Sequence, residues 1–212
     1  MGFEVVLITA LMHDIGYIQE VGDEGTGGKY TLVHVERSAN FFESYGRRLG
    51  LSEDAVAQGC CMITTTSLAI SISSICYPDE ETELLSKLLA TADLLGQLAD
   101  RLYLEKLLFL FDEFYEAGVA GLTHEFDLIN QTRNFYVMVR RRLDEDLGDL
   151  GSILNLHFRE RWQIDKNLYE ESIILNLQYL EIVIKEQKDN FRSKLKRGGI
   201  VERFIRSDSG IS

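Results

Sequence analysis

The chain has 212 residues, 45% of them hydrophobic, with 34 acidic against 22 basic side chains and a formal net charge of −12. That length and apolar content suffice for one substantial core, or for one core with a helical extension. The charge argues against general affinity for nucleic acid or an anionic membrane, both of which need a concentrated basic surface, but leaves room for a small phosphorylated substrate.

Cys60, Cys61 and Cys76 make an odd count with no framework spacing, which fits a reducing compartment and a cytoplasmic protein. A single proline, Pro78, no internal repeat, and apolar residues spaced three and four apart predict an all-α chain.

The first helix is predicted from about Phe3 to Asp14. Its apolar run, Val5 to Met12, is far short of the roughly 20 residues a membrane span requires. It has neither the basic start nor the cleavage site of a signal peptide. A helix apolar on nearly every side belongs in the middle of a bundle. With nothing ahead of it to cover one flank, a contact with a second copy in a homodimer is expected. The helix runs into His13-Asp14, two side chains that bind divalent metals. Successive helix positions point about 100° apart, so the pair can share one ion where the helix is ending, and Gly16 permits that ending.

Gly22, Gly25, Gly27 and Gly28 mark a loop, either a flexible lid over the metal or an ordinary surface loop. It is not a P-loop, because the first glycine is out of register and Tyr30 stands where Ser or Thr would hold magnesium. Thr31 is expected to cap a second helix to about Leu49, with Leu32, Val35, Ala39 and Phe42 inward. His34 and Arg37, three apart, share a neighbouring face. The plain alternative is a surface histidine beside a solvated arginine. Ser52, followed by Glu53 and Asp54, starts a third helix to about Ile63, in which Cys60 and Cys61 read as core residues rather than ligands.

After Pro78 a long helix is predicted from near Asp79 through Leu84, Leu85, Leu88, Leu89 and Ala92 to Asp93. A carboxylate among Ala92, Leu94 and Leu95 is expected to be buried and to need a cation, because an unpaired buried charge is costly. A metal held by His13 and Asp14 would supply one; a salt bridge to an arginine such as Arg101 is the alternative. Gln97 and Asp100 follow on the same face. The stretch from Tyr103 to Ala117 is strongly amphipathic, with Leu104, Leu107, Leu108, Phe111 and Phe114 inward.

Gly118 and Gly121 break the chain, and Thr123 is expected to cap a helix from about His124 to Leu147. Arg140-Arg141-Arg142, offset by Asp144, Glu145 and Asp146, reads as a solvated end. His124 and His157 have no ligand spacing and read as structural. A helix follows from about Ser152 to Trp162. Asn167-Leu168-Tyr169-Glu170 then has the capping-box form and opens the last long helix, with Ile173, Ile174, Leu177, Leu180 and Ile184 as its apolar stripe. The tail from Gly198 is expected to be loose or to dock on a partner.

His13-Asp14, the later carboxylate in Ala90-Thr91-Ala92-Asp93-Leu94-Leu95, and the helical pattern between them resemble the HD-domain superfamily of metal-dependent phosphohydrolases. The run His13-Asp14-Ile15-Gly16-Tyr17, then Thr26-Gly27-Gly28-Lys29-Tyr30-Thr31 and His34, is similar to its cyclic-nucleotide-phosphodiesterase-like branch. The resemblance implies an HD-like bundle over residues 1–117, with residues 118–212 as a C-terminal helical extension packed on it. It implies that His13, Asp14 and Asp93 hold one divalent ion, for which manganese, iron, magnesium, cobalt and zinc all suit the mixed nitrogen and carboxylate set. It gives His34 the part of ligand or proton donor, with Lys29 and Arg37 as phosphate contacts, and points to hydrolysis of a phosphate mono- or diester such as a nucleotide or cyclic nucleotide. HD domains also carry an earlier helix with a further metal-binding histidine, for which this chain shows no counterpart. The competing expectations are a catalytically degenerate HD fold kept for ligand sensing or oligomerisation, and an all-helical structural subunit with no site.

Overall fold

The computed structural model describes residues 2–186 and 190–202. These form an all-helical protein with no strand among the described residues. The chain divides into two compact units, one of residues 1–94, 116–118 and 140–151, the other of residues 95–115, 119–139 and 152–212. The division falls inside a helix, at Leu94 and Leu95, rather than at the glycine break after Ala117.

The first unit is built on α1 (Gly2–Met12), α2 (His34–Arg48), α3 (Glu53–Thr66) and the first part of α4 (Glu80–Ala99). Its core gathers Val5 and Met12 from α1, Phe42 from α2, Ala55, Met62 and Ile63 from α3, and Leu89 from α4. Phe42 lies against Gly59, where an added Cβ would stand 2.1 Å from the ring, so only glycine lets α2 and α3 approach this closely. Ser52 caps α3 as expected, accepting a hydrogen bond from the Ala55 amide at 3.2 Å. The helix runs on through Thr64, Thr65 and Thr66, whose hydroxyls donate back to the carbonyls of Cys60, Cys61 and Ile63. Asp79 caps α4 by accepting from the Thr82 amide at 2.7 Å.

Three local expectations change here. Thr31 does not cap α2: its hydroxyl donates to the Gly28 carbonyl at 2.7 Å in a short 3-10 turn, Gly27–Tyr30, and α2 begins at His34. Leu32 therefore precedes the helix and is exposed, as is Leu84 on α4. Arg142 is no solvated end. It is buried, and its guanidinium donates to the carbonyls of Thr65, Ser67 and Ile70 at 2.7 to 3.2 Å, satisfying groups that the end of α3 leaves open. Only Arg140 and Arg141 behave as predicted, pairing with Asp144 and Glu145.

The second unit contains the end of α4, α5 (Tyr103–Glu116) apart from its last residue, most of α6 (Glu125–Arg141), α7 (Leu154–Trp162) and α8 (Leu168–Ile184). Leu104, Leu107, Leu108, Leu128, Ile129, Leu180 and Val183 form its core, with Phe111 and Phe114 packed at the side. Asn167 caps α8, accepting from the amides of Tyr169 and Glu170. At the start of α6 the capping runs the other way: Thr123 donates its hydroxyl and amide to Asp127. Ile174, expected inward, is exposed. Of the C-terminal segment, Phe191, Leu195 and Val201 are buried in this core, and residues 203–212 lie outside the described residues.

Candidate metal centre

α1 ends at Met12, two residues before the expected end, and His13 and Asp14 occupy a turn. A turn frees the two side chains from the helical rotation that would separate them. His13 Nε2 lies 3.3 Å from Asp14 Oδ2 and 3.6 Å from Asp93 Oδ1, and His34 Nε2 lies 3.7 Å from Asp14 Oδ1. The side chains of His13, Asp93 and His34 are 20%, 16% and 23% exposed, and Asp14 is open at 54%. The sequence thus brings two histidines and two carboxylates from the α1 turn, α2 and α4 to one place.

Both imidazoles are held from behind. His13 Nδ1 is 2.9 Å from the Ala10 carbonyl and His34 Nδ1 is 2.7 Å from the Thr31 carbonyl. A carbonyl only accepts, so each Nδ1 carries its proton and each Nε2 faces the carboxylates. This backing is the arrangement that orients metal-ligating histidines. Among the described residues His13 Nε2 is buried and makes no hydrogen bond; its relation to Asp93 and Asp14 is one of charge at ion-pair distance. The Asp93 carboxylate, with Asp14 adding, outweighs burial and pushes the His13 imidazole up to about 9.

Gly16 sets the approach of the turn to α2. A Cβ there would lie 2.0 Å from the His34 carbonyl oxygen and 2.9 Å from the Ser38 nitrogen, and the Gly16 amide donates to buried Ser38 Oγ at 2.9 Å. Its φ is not positive, so the glycine is needed for closeness rather than for an unusual turn. Tyr17 stacks on the His34 ring with centroids 4.4 Å apart.

The two predicted phosphate contacts are engaged by the loop. Arg37 donates to the carbonyls of Gly16 at 2.8 Å and Ile18 at 3.0 Å, pairs with Glu20 at 3.3 Å, and covers the Tyr30 ring. Lys29 Nζ binds the Glu24 carbonyl at 3.0 Å and Asp23 at 3.1 Å. Glu116, which the sequence did not mark and which belongs to the first unit, accepts from the amide and hydroxyl of Thr26 and so holds the loop. Asp100 serves α5 locally, accepting from the Leu102 amide at 2.8 Å and pairing with Lys106.

No set of three or more His, Cys, Asp or Glu side chains among the described residues stands in coordinating geometry as it is. The donors nevertheless suit a borderline divalent cation in kind: two imidazole nitrogens and carboxylate oxygens, with one imidazole nitrogen buried and lacking a hydrogen bond.

The described residues therefore make an all-helical protein with a half-buried cluster of two histidines and two aspartates. Residues 20–175 match the family model described as Npun_R2479-like, and the chain belongs to that family. The matched region includes Lys29, His34, Arg37 and Asp93 and begins after His13 and Asp14. No curated protein and no solved structure matches the chain. No helix among the described residues is long and apolar enough to cross a membrane.

Proposed function

We propose that the protein is an HD-type, metal-dependent phosphohydrolase acting on a small phosphate mono- or diester, with His13, Asp14 and Asp93 as ligands to one divalent ion. The observation that carries this reading is the convergence of His13 Nε2, buried without a hydrogen bond, on the carboxylates of Asp14 and Asp93. When bound, the ion would lower the pKa of water and balance charge on a phosphoryl group. The chain's own contribution is to hold the ligands. Ala10 and Thr31 fix the two imidazoles through their Nδ1 protons, and the close packing of Gly16 on α2 sets Asp14 against His34. His34 Nε2, facing Asp14, is the candidate proton donor to a leaving oxygen.

A second reading, a ligand-sensing or oligomerisation module on the same fold, is favoured by the engagement of Lys29 and Arg37 within the loop. Cations already committed to carbonyls and carboxylates offer less to a phosphate. A screen of phosphatase and phosphodiesterase substrates with added manganese separates the two. Turnover lost in Asp93→Asn and reduced in His34→Ala supports the hydrolase. Metal binding with no turnover of any phosphate ester supports the sensing module.

A further inference from the structure

Cys60 and Cys61 are neighbours on α3, both half-buried, and their thiols contact different segments. The Cys60 thiol points to the Ala39 carbonyl, 3.6 Å away, and packs against the core of the first unit; burial pushes it up to about 11. One residue on, about 100° round the helix, the half-buried Cys61 faces a different segment. Its thiol makes a long contact, 3.9 Å, with the carbonyl oxygen of Cys76. A carbonyl oxygen sits about 2.4 Å from its own Cα, so Cys61 Sγ lies within roughly 6 Å of the Cys76 Cα. Cys76 is exposed, on the irregular stretch between the 3-10 turn Ile72–Ser74 and α4. Segments of that kind move by an ångström or two more readily than packed helices.

We infer that Cys61 and Cys76 are an oxidisable pair that closes an intramolecular disulfide in response to a peroxide. In the balanced sequence the exposed Cys76 thiol gives up its proton and its sulfur attacks one peroxide oxygen, the O–O bond breaks, the departing hydroxide takes up that proton, and the products are a sulfenic acid and water. The Cys61 sulfur then attacks the sulfenic sulfur, an S–S bond forms, and the hydroxyl leaves as water with the Cys61 proton. Two thiols are oxidised, one peroxide is reduced, and two waters result. Cys61 suits the second step. Burial, with the neighbouring Cys76 adding, holds the Cys61 thiol above the usual range, so it is a slow primary target, while its contact with the Cys76 carbonyl keeps it beside the residue it would resolve. Cys60 is excluded by direction, because its sulfur faces α2. Closure would tie the middle of α3 to the approach of α4, the helix that carries Asp93.

The test treats the purified full chain with hydrogen peroxide, alkylates the remaining thiols, and maps a non-reduced digest by mass spectrometry. The expected product is a monomeric chain short of two hydrogens with a Cys61–Cys76 cross-linked peptide. Cys60 would be alkylated only after unfolding. The melting temperature should rise on the order of 5 °C and return with dithiothreitol, as expected for a short closed loop. Cys76→Ser, at an exposed position, should fold normally, lose the cross-link and lose the shift. A cross-link through Cys60, an intermolecular dimer, or Cys76 oxidised past the sulfenic acid while Cys61 stays reduced would each overturn the inference.

Discussion

Gly16→Ala isolates the packing that positions the site. The added Cβ would meet the His34 carbonyl oxygen at 2.0 Å, its carbon at 2.8 Å and the Ser38 nitrogen at 2.9 Å, all of them backbone atoms that no rotamer change can clear. Reaching even the 3.0 Å below which such contacts do not occur requires the turn and α2 to part by about 1 Å. That movement strains the hydrogen bond from the Gly16 amide to Ser38 and the Arg37 bond to the Gly16 carbonyl. Overpacking of this kind costs about 1–3 kcal/mol, and a rigid backbone neighbour puts it at the upper end. For a chain of this length each kcal/mol lowers Tm by roughly 2–4 °C, so thermal unfolding followed by circular dichroism should show a fall of about 8 °C. Gly96→Ala is the control. It lies inside α4 with nothing within 4 Å of the added Cβ, so it should stabilise by a few tenths to about 1 kcal/mol. A Gly16→Ala protein melting within 1 °C or so of wild type would refute the claim that this glycine sets the approach of the His13-Asp14 turn to His34.

Further expectations concern the site and the two cores. In metal-free protein His13 should titrate near 9 by NMR and move down toward 6.5 in Asp93→Asn, because the carboxylate raises it. Since its folded value lies above its unfolded one, the pair's stabilisation, on the order of 3 kcal/mol, is complete below about pH 6.5 and lost as pH rises to about 9; a stability flat across that window contradicts it. Arg142→Ala should cost about 3 kcal/mol in a urea melt, because the Thr65, Ser67 and Ile70 carbonyls lose their buried donor. Asn176→Leu should cost roughly 2–3 kcal/mol in the same assay, since it removes the donor to the Leu98 and Asp100 carbonyls and the acceptor for Arg197. Either variant melting like wild type would show that water replaces those bonds freely.

Periodicity was a sound guide to most of the inward face of α5 and α8, though not to Ile174, and not to α1, where Leu7 and Leu11 are exposed. α5 and α8 appear with Leu104, Leu107, Leu108, Ile173 and Leu180 buried, and Ser52 and Asn167 cap as their neighbours suggest. It misled where a side chain had two local partners to choose between. Thr31 bonds back to Gly28 instead of capping α2, and Thr123 donates to Asp127 instead of accepting. Arg142 sits among acidic neighbours in sequence, and only the fold brings it to the carbonyls that end α3. At the site, the residue types of His13, Asp14 and Asp93 announced themselves, whereas the backing of each imidazole by a carbonyl three residues earlier depends on turn geometry and carries no signature. Gly16 was legible as a break but not as a contact. Glu116 lies far along the chain from Thr26, and no local pattern links the two.

The central claim is that His13, Asp14 and Asp93 jointly hold one divalent ion, and titration of chelator-treated protein with Mn2+ by calorimetry tests it most directly. The account predicts one ion per chain, affinity that increases with pH up to about 9 as His13 gives up its proton, and at least a tenfold loss in Asp93→Asn. Binding that is absent at millimolar Mn2+, or that is unchanged by Asp93→Asn, would contradict it.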